Sequence, residues 1–355
     1  MMKGKQRPIL LMVVVVALMI LMAACGGAQT SQDVERSESN GETSSEEKAA
    51  DDGKTYTIKM ATPSTPSDSN VMAFLEFEKI VEERSNGKID VNVMHSGQLG
   101  GHTDYIDGLQ MGSIQAAEIN TSILEGINDK FMIFGMPYIS RSMEHQRDVL
   151  ANGVGDQLSN ALQEQTGIQI TGWMIRGPRI VYSSKGAIET ADDFKGLKVR
   201  VMESPIMIKT MELLGAKPTP ISADERYMAL QTGVVDAAEN SIALIVTEKE
   251  YEVTDYVSLT EHFITPNVIA FDTKFLDKLP EDLKQIVLEA SEEAAAFAFE
   301  EEVRQIEEAA KTLEEHGMKI NSVDDKSTFI EAVEPIYDEY QDIIGQDLLD
   351  AFLNE

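Results

Sequence analysis

Arg200 is the first residue whose setting asks for a chemical explanation. It sits in the run Gly196–Val201, GLKVRV, where Leu197, Val199 and Val201 alternate as in a β-strand. An arginine in such a pattern lacks a natural partner, which predicts a guanidinium turned into a cleft to meet an anion. A planar guanidinium holds a carboxylate through two parallel hydrogen bonds. Forty residues on, Asn240 closes a second short apolar run, GVVDAA at 233–238, and its amide can add a hydrogen bond to the same ligand. The pair describes a receptor for a small carboxylate.

Other chemistries lack their residues. The five histidines (His95, His102, His145, His262 and His316) are scattered without metal-ligand spacing, so no metal site is predicted. There is no G-x-S-x-G elbow, no phosphate loop and no dinucleotide fingerprint, and no cofactor is called for. The aromatic content of 6%, with one tryptophan, argues against a polysaccharide-binding platform. The net charge of −31 repels nucleic acid and anionic lipid headgroups. It also opposes an anionic ligand, so local cations in the cleft must reverse the field there. An enzyme is not expected, although an anchored hydrolase or lyase holding an anionic substrate on Arg200 is the alternative from another class.

The surrounding elements read as an alternating α/β chain. TYTIKMAT from Thr55 is a strand, PSTPSDSN a loop, and Val71, Phe74, Leu75, Ile80 and Val81 give helical spacing up to a stop at Asn86-Gly87. KIDVNVMHSG is a second strand, HTDYIDGLQMGSI a helix and QAAEINT a third strand. The alternation continues to about residue 265 and predicts largely parallel sheets, which place ligands beyond the carboxyl ends of their strands. From Pro280 to Gly317 the chain runs without proline or glycine, as one long helix able to pack on two lobes, or as two helices.

The N-terminus adds an address. Lys3, Lys5 and Arg7 precede the apolar run 9–24, and Cys25 follows Ala23-Ala24. This reads as a signal peptide over 1–24. The apolar run is shorter than the ~20 residues a spanning helix needs. The small residues before Cys25 resemble a bacterial lipobox, with Met22 where leucine is usual, so Cys25 is the expected lipidation site. Residues 25–53 then form an acidic tether with Val34 as its one large aliphatic. The body is expected outside the cytoplasmic membrane, on its outer face.

Beyond this point the chain resembles the solute-binding proteins of TRAP transporters (tripartite ATP-independent periplasmic transporters), over residues 54 to about 345. The resemblance is carried by GQLGG at 97–101, GPR at 177–179, KGLKVRV at 195–201, LGAKPTP at 214–220, ALQTGVVDAAEN at 229–240 and LPEDL at 279–283. It implies an α/β, two-lobed fold like that of periplasmic binding proteins, with crossing strands and a long C-terminal helix spanning both lobes. The expected lobes are 54–176 with 266–305, and 177–265 with 306–355.

The resemblance further implies that Arg200 forms a salt bridge with the ligand carboxylate, that Arg179 is a second ligand-facing arginine, and that Asn240 is a ligand-facing amide. Glu203, His102, Asn120 and Thr62 are implied to line the cleft, while Glu239 supports local structure. His102, following two glycines, reads equally well as an exposed loop residue. The departures bear on specificity. Met202-Glu203 stands where the family often has proline and a small polar residue, and an ionised glutamate accepts hydrogen bonds but repels a second carboxylate. Ala223 stands where some sialic-acid binders have an aromatic residue. The expected ligand is therefore a uronate or related sugar acid, with a C4-dicarboxylate or a zwitterion such as ectoine as alternatives. The expected partners are the small and large membrane subunits of the transporter; a receptor serving signalling alone is the rival within the binding class.

Overall fold

The computed structural model describes residues 54–354. The signal-peptide, lipidation and tether readings for residues 1–24, Cys25 and the stretch up to 53 fall outside the described residues. No helix among those described is long and apolar enough to cross a membrane.

The strands are β1 (Tyr56–Ala61), β2 (Ile89–Met94), β3 (Ala116–Asn120), β4 (Ile168–Met174), β5 (Arg179–Ser183), β6 (Lys198–Val201), β7 (Lys217–Pro220), β8 (Ala237–Ser241), β9 (Tyr256–Phe263), β10 (Asn267–Asp272) and β11 (Lys319–Ser322). They build two sheets, ordered β2-β1-β3-β10-β4 and β11-β9-β5-β8-β6-β7. The chain passes from the first to the second between β4 and β5, and returns between β9 and β10. These two crossings run side by side, with Arg179 of β5 paired to Phe263 of β9.

The sheets are largely parallel, as expected, with one reversed strand in each. β1 lies parallel to β2 and β3, and β6 parallel to β7 and β8. But β10 runs antiparallel to β3 and β4, and β5 antiparallel to β8 and β9. A strand entering a sheet from its neighbour starts at the ligand end, opposite to strands that arrive through a helical crossover.

Local sequence accounts for the first helix, Ser69–Arg84. Asp68 caps it by accepting from the Asn70 N–H, and the chain turns away through Asn86 and Gly87, both at positive φ. Val71, Phe74, Phe77 and Val81 form its buried face, whereas Leu75 is exposed and Ile80 half-buried. Phe77 at i+3 from Phe74 keeps the stripe narrow, which leaves Leu75 outside it.

Pro280–Gly317 contains a single helix, Glu281–Glu315, of 35 residues, about 52 Å long at 1.5 Å per residue. Its first half buries Leu283, Val287, Ala290, Ala294 and Ala298 in the core beneath the first sheet. Its last turns bury Ala309 and Leu313 beneath the second. Between them lies Glu302, fully buried. It accepts from Ser69 Oγ at 2.7 Å, Gly177 N at 3.0 Å and Ser241 Oγ at 2.8 Å, and lies 3.1 Å from Arg176. One carboxylate thus ties the first helix, the crossing segment and the end of β8 to the long helix. Gly177 has no room for a side chain: a Cβ would sit 2.5 Å from Ile306 Cδ1 and 2.8 Å from Ser241 Oγ.

The C-terminal helices pack across elements of both sheets. Phe352 meets Phe134 and His145 edge-on, and Phe329 meets Phe194.

Candidate functional site: a cavity between the sheets

A cavity of about 170 Å³ lies between the two sheets. Its walls come from the carboxyl ends of β1, β3, β6 and β8 and from the starts of β5 and β10. This is where open α/β sheets generally hold ligands.

Arg200 lies in the wall and is 1% exposed. Its Nε donates to the Ile221 carbonyl at 2.8 Å. Both terminal nitrogens are buried without a hydrogen-bond partner. Burial, aided by the neighbouring Arg226 guanidinium, pushes its pKa down to about 10, with Glu239 opposing the fall. A buried cation with four unmatched N–H groups is costly, and a carboxylate is its natural complement.

Arg179 contrasts with it. Nε and one terminal nitrogen donate to the Glu239 carboxylate, and that nitrogen also donates to the Glu239 carbonyl at 2.8 Å. The other donates to Asn240 Oδ1 at 3.2 Å and Thr265 Oγ1 at 3.3 Å. A guanidinium has five N–H groups, so all are engaged. Arg179 lines the cavity, where the resemblance puts it, with its guanidinium held by protein acceptors as a scaffold cation. Burial alone would raise the Glu239 pKa, but Arg179 and His262 outweigh it and hold it at about 2. Asn240 lines the cavity with Oδ1 occupied by Arg179 and by the Ser241 N–H, which leaves Nδ2 as the available donor.

The wall from the first sheet is built of neutral side chains around Glu118. Asn120 lines the cavity and passes its Nδ2 hydrogen to Asn267 Oδ1 at 2.5 Å. His102 is buried at the start of helix His102–Met111, not exposed on a loop. Its Nδ1 lies 3.1 Å from the Glu118 carbonyl. A carbonyl only accepts, so Nδ1 carries the hydrogen and Nε2 is an acceptor. Burial brings its pKa down to about 4. Thr62 stands behind the wall, fully buried, with its hydroxyl given to Glu118.

Glu203 is not brought to the cavity. It is exposed and lines a separate depression with Gly101, Asp104 and Glu225, which meets the cavity only through His102 and Asp224. Ser204, the next residue, is the buried cap of helix Pro205–Leu213, and that turn carries Glu203 outward.

Several wall residues escaped the sequence reading. Arg226 is fixed through Nε to Glu250 at 2.6 Å. Arg176 grips Asp68 in a two-pronged pair at 3.0 and 2.9 Å. Glu118 and Asn267 complete the first wall. Glu118 was the most findable, since a lone charge inside AAEIN is the same signal that marked Arg200. Across the mouth, Thr65 N donates to Glu248 Oε1 at 3.0 Å and Thr65 Oγ1 to the Thr247 carbonyl at 3.1 Å, joining the loop after β1 to the helix after β8.

This architecture and site define an extracytoplasmic binding protein that takes a small anion between two α/β lobes. Residues 60–342 match the family described as bacterial extracellular solute-binding protein, family 7 (DctP), and the chain belongs to it. It is 32% identical over 275 residues to a solute-binding protein of Chromohalobacter salexigens, covering 78% of this chain and 82% of that one. Among solved structures it resembles the sugar acid binding protein DctPAm of Advenella mimigardefordensis in complex with galactonate, at a TM-score of 0.82 and 28% identity, over 85% of this chain and 99% of that one. A TRAP periplasmic solute-binding protein of C. salexigens with bound D-glucuronate aligns at a TM-score of 0.79 and 30% identity, over 83% of this chain and 99% of that one. The protein is thus a solute receptor of the TRAP type, a transport protein and not an enzyme, which binds small carboxylates and works with membrane permease subunits.

Proposed function

We propose that this receptor binds a sugar acid carrying one carboxylate and several hydroxyls, held by Arg200, and delivers it to the membrane subunits. One observation carries the reading: a buried guanidinium in the cavity wall whose terminal nitrogens have no protein partner. The remaining charges favour hydroxyls over a second carboxylate. Arg176, Arg179 and Arg226 are each committed to a protein carboxylate. Among the described residues, Glu118, Asp224 and Glu248 face the cavity without a cation of their own in an ion pair. Acids in that position accept hydroxyl hydrogens and repel a dicarboxylate. The part that sequence gave to Glu203 falls to these residues. Galactonate and D-glucuronate in the two structural relatives have this chemistry.

The lobes are proposed as 54–176 with 266–305, and 177–265 with 306–355, closing on the ligand. Closure follows from the ligand's greater affinity for the closed state. We also propose a lipid anchor at Cys25, tested by metabolic labelling with a fatty-acid analogue in the wild type and in Cys25→Ser.

The binding test is a thermal-shift screen against uronates, aldonates, C4-dicarboxylates and ectoine. A ligand at 100 times its Kd stabilises by about 2.7 kcal/mol. A shift with uronates or aldonates and none with succinate is the expected result. A shift confined to succinate overturns the sugar-acid reading.

A further inference from the structure

We propose that Glu118 is the specificity-determining residue of this receptor: a carboxylate acceptor on the wall opposite the one that carries Arg200, which takes a ligand hydroxyl. The inference rests on the sugar-acid reading above and names the residue that enforces it.

Glu118 is 1% exposed and lines the cavity from β3. Three side chains converge on its carboxylate. Asn70 Nδ2 donates at 3.0 Å, Asn267 Nδ2 donates to the same oxygen, and Thr62 Oγ1 donates to the other. The direction of this network is set by the backbone. The Ser122 N–H can only donate, and it donates to Asn120 Oδ1 at 3.0 Å. Asn120 must then offer Nδ2 to Asn267 Oδ1. Asn267 in turn must offer Nδ2 to Glu118. The chain of amides is therefore polarised toward the carboxylate, and the usual amide-flip ambiguity is removed.

A carboxylate offers about four acceptor sites. The three donors fill three of them, and the cavity is where the fourth can be used. No cation is hydrogen-bonded to Glu118, because the nearby Arg176 is committed to Asp68 and Glu302. The site thus has an acceptor end at Glu118 and a donor end at Arg200. A molecule with a carboxylate at one end and hydroxyls toward the other matches both. A dicarboxylate would place like charges against Glu118.

The charged and titratable groups around Glu118 are Asp68, Arg176, His102 and the Tyr105 phenol. His102, with its pKa near 4, stays neutral above pH 5. Burial, reinforced by Asp68 and offset by Thr62, Arg176 and Asn70, brings the Glu118 pKa to about 7. Protonation would turn the acceptor into a neutral acid and weaken its hold on a hydroxyl, while Arg200 and the ligand carboxylate keep their charges.

The test is isothermal titration of the wild type and Glu118→Gln with D-glucuronate, D-galactonate, succinate and hexanoate, the last a six-carbon acid without hydroxyls. The wild type should prefer the sugar acids. The variant should lose on the order of ten- to a hundredfold for them, the range of a hydrogen bond to a charged group, with hexanoate unchanged. Wild-type affinity for a sugar acid should also fall as pH drops below 7, levelling off at a loss no greater than the variant's, which needs no variant and stands if Glu118→Gln fails to fold. A variant that keeps the sugar-acid preference, or a flat wild-type profile from pH 8 to 5.5, overturns the assignment. A wild type that binds succinate and none of the sugar acids removes the functional reading, and this assignment with it.

Discussion

The two walls of the cavity solve the same problem in opposite ways. Each must keep charge in a place that water barely reaches. The second-sheet wall pairs its cations, Arg179 with Glu239 and Arg226 with Glu250, and leaves Arg200 over. The first-sheet wall surrounds one acid, Glu118, with neutral amide and hydroxyl donors. Pairing drives the Glu239 pKa down to about 2, while burial without a paired cation lifts that of Glu118 to about 7. A ligand that is an anion at one end and a hydrogen-bond donor at the other completes both. In the proposed reading, charges matched within the wall hold the fold together and charges left unmatched read the ligand.

The comparison breaks most visibly at the pairs. Arg179→Ala leaves Glu239 buried without its partner and should cost about 3–5 kcal/mol of folding stability, read by urea denaturation. A loss below 1 kcal/mol would mean that Arg179 is not the scaffold cation.

Arg200→Met should do the reverse. Binding of a sugar acid should weaken by about 2–5 kcal/mol in a titration. The ligand-free protein should keep or gain stability, because unsatisfied buried donors are removed. Reduced stability without a change in Kd would place Arg200 with the scaffold.

Proton linkage sharpens the contrast through the sign of the slope. Glu239 is depressed from 4.5 to about 2, so its stabilising contribution is present above pH 4.5 and lost as pH falls toward 2. Glu118 is raised from 4.5 to about 7, so the folded state binds its proton more tightly and stability falls as pH rises from 4.5 to 7. Melting temperatures of ligand-free Glu118→Gln should lack the second slope and keep the first. Glu125, buried against Ser204 and raised to about 8, should extend a falling slope toward pH 8, and Glu125→Gln should remove that extension.

The smallest effect should come from the rim. Thr65→Ala deletes the hydroxyl contact to the Thr247 carbonyl while keeping the backbone bond to Glu248. It should weaken sugar-acid binding by about 1 kcal/mol, with stability of the free protein nearly unchanged.

What the chain determines by itself is local. Alternation in TYTIKMA, the cap at Asp68, the stop at Asn86-Gly87 and the uninterrupted run after Pro280 specify their elements through period-2 and period-3.6 patterning and backbone propensity. Arg200 could be singled out as a charge within GLKVRV, but Lys198 shares its face in the period-2 pattern, and only the fold buries the one and leaves the other half-buried. What tertiary structure decided is the fate of each charge. Arg179 and Arg200 look alike in sequence, and only the antiparallel pairing of β5 with β8 sets Glu239 beside the first. Glu203 was carried outward by the cap at Ser204, and Glu118 was gathered into the cavity by Thr62, Asn70 and Asn267, which come from three separate segments. Whether a buried charge is structural or free for a ligand depends on partners tens to hundreds of residues away. That information lies in the fold and not in any window of the sequence.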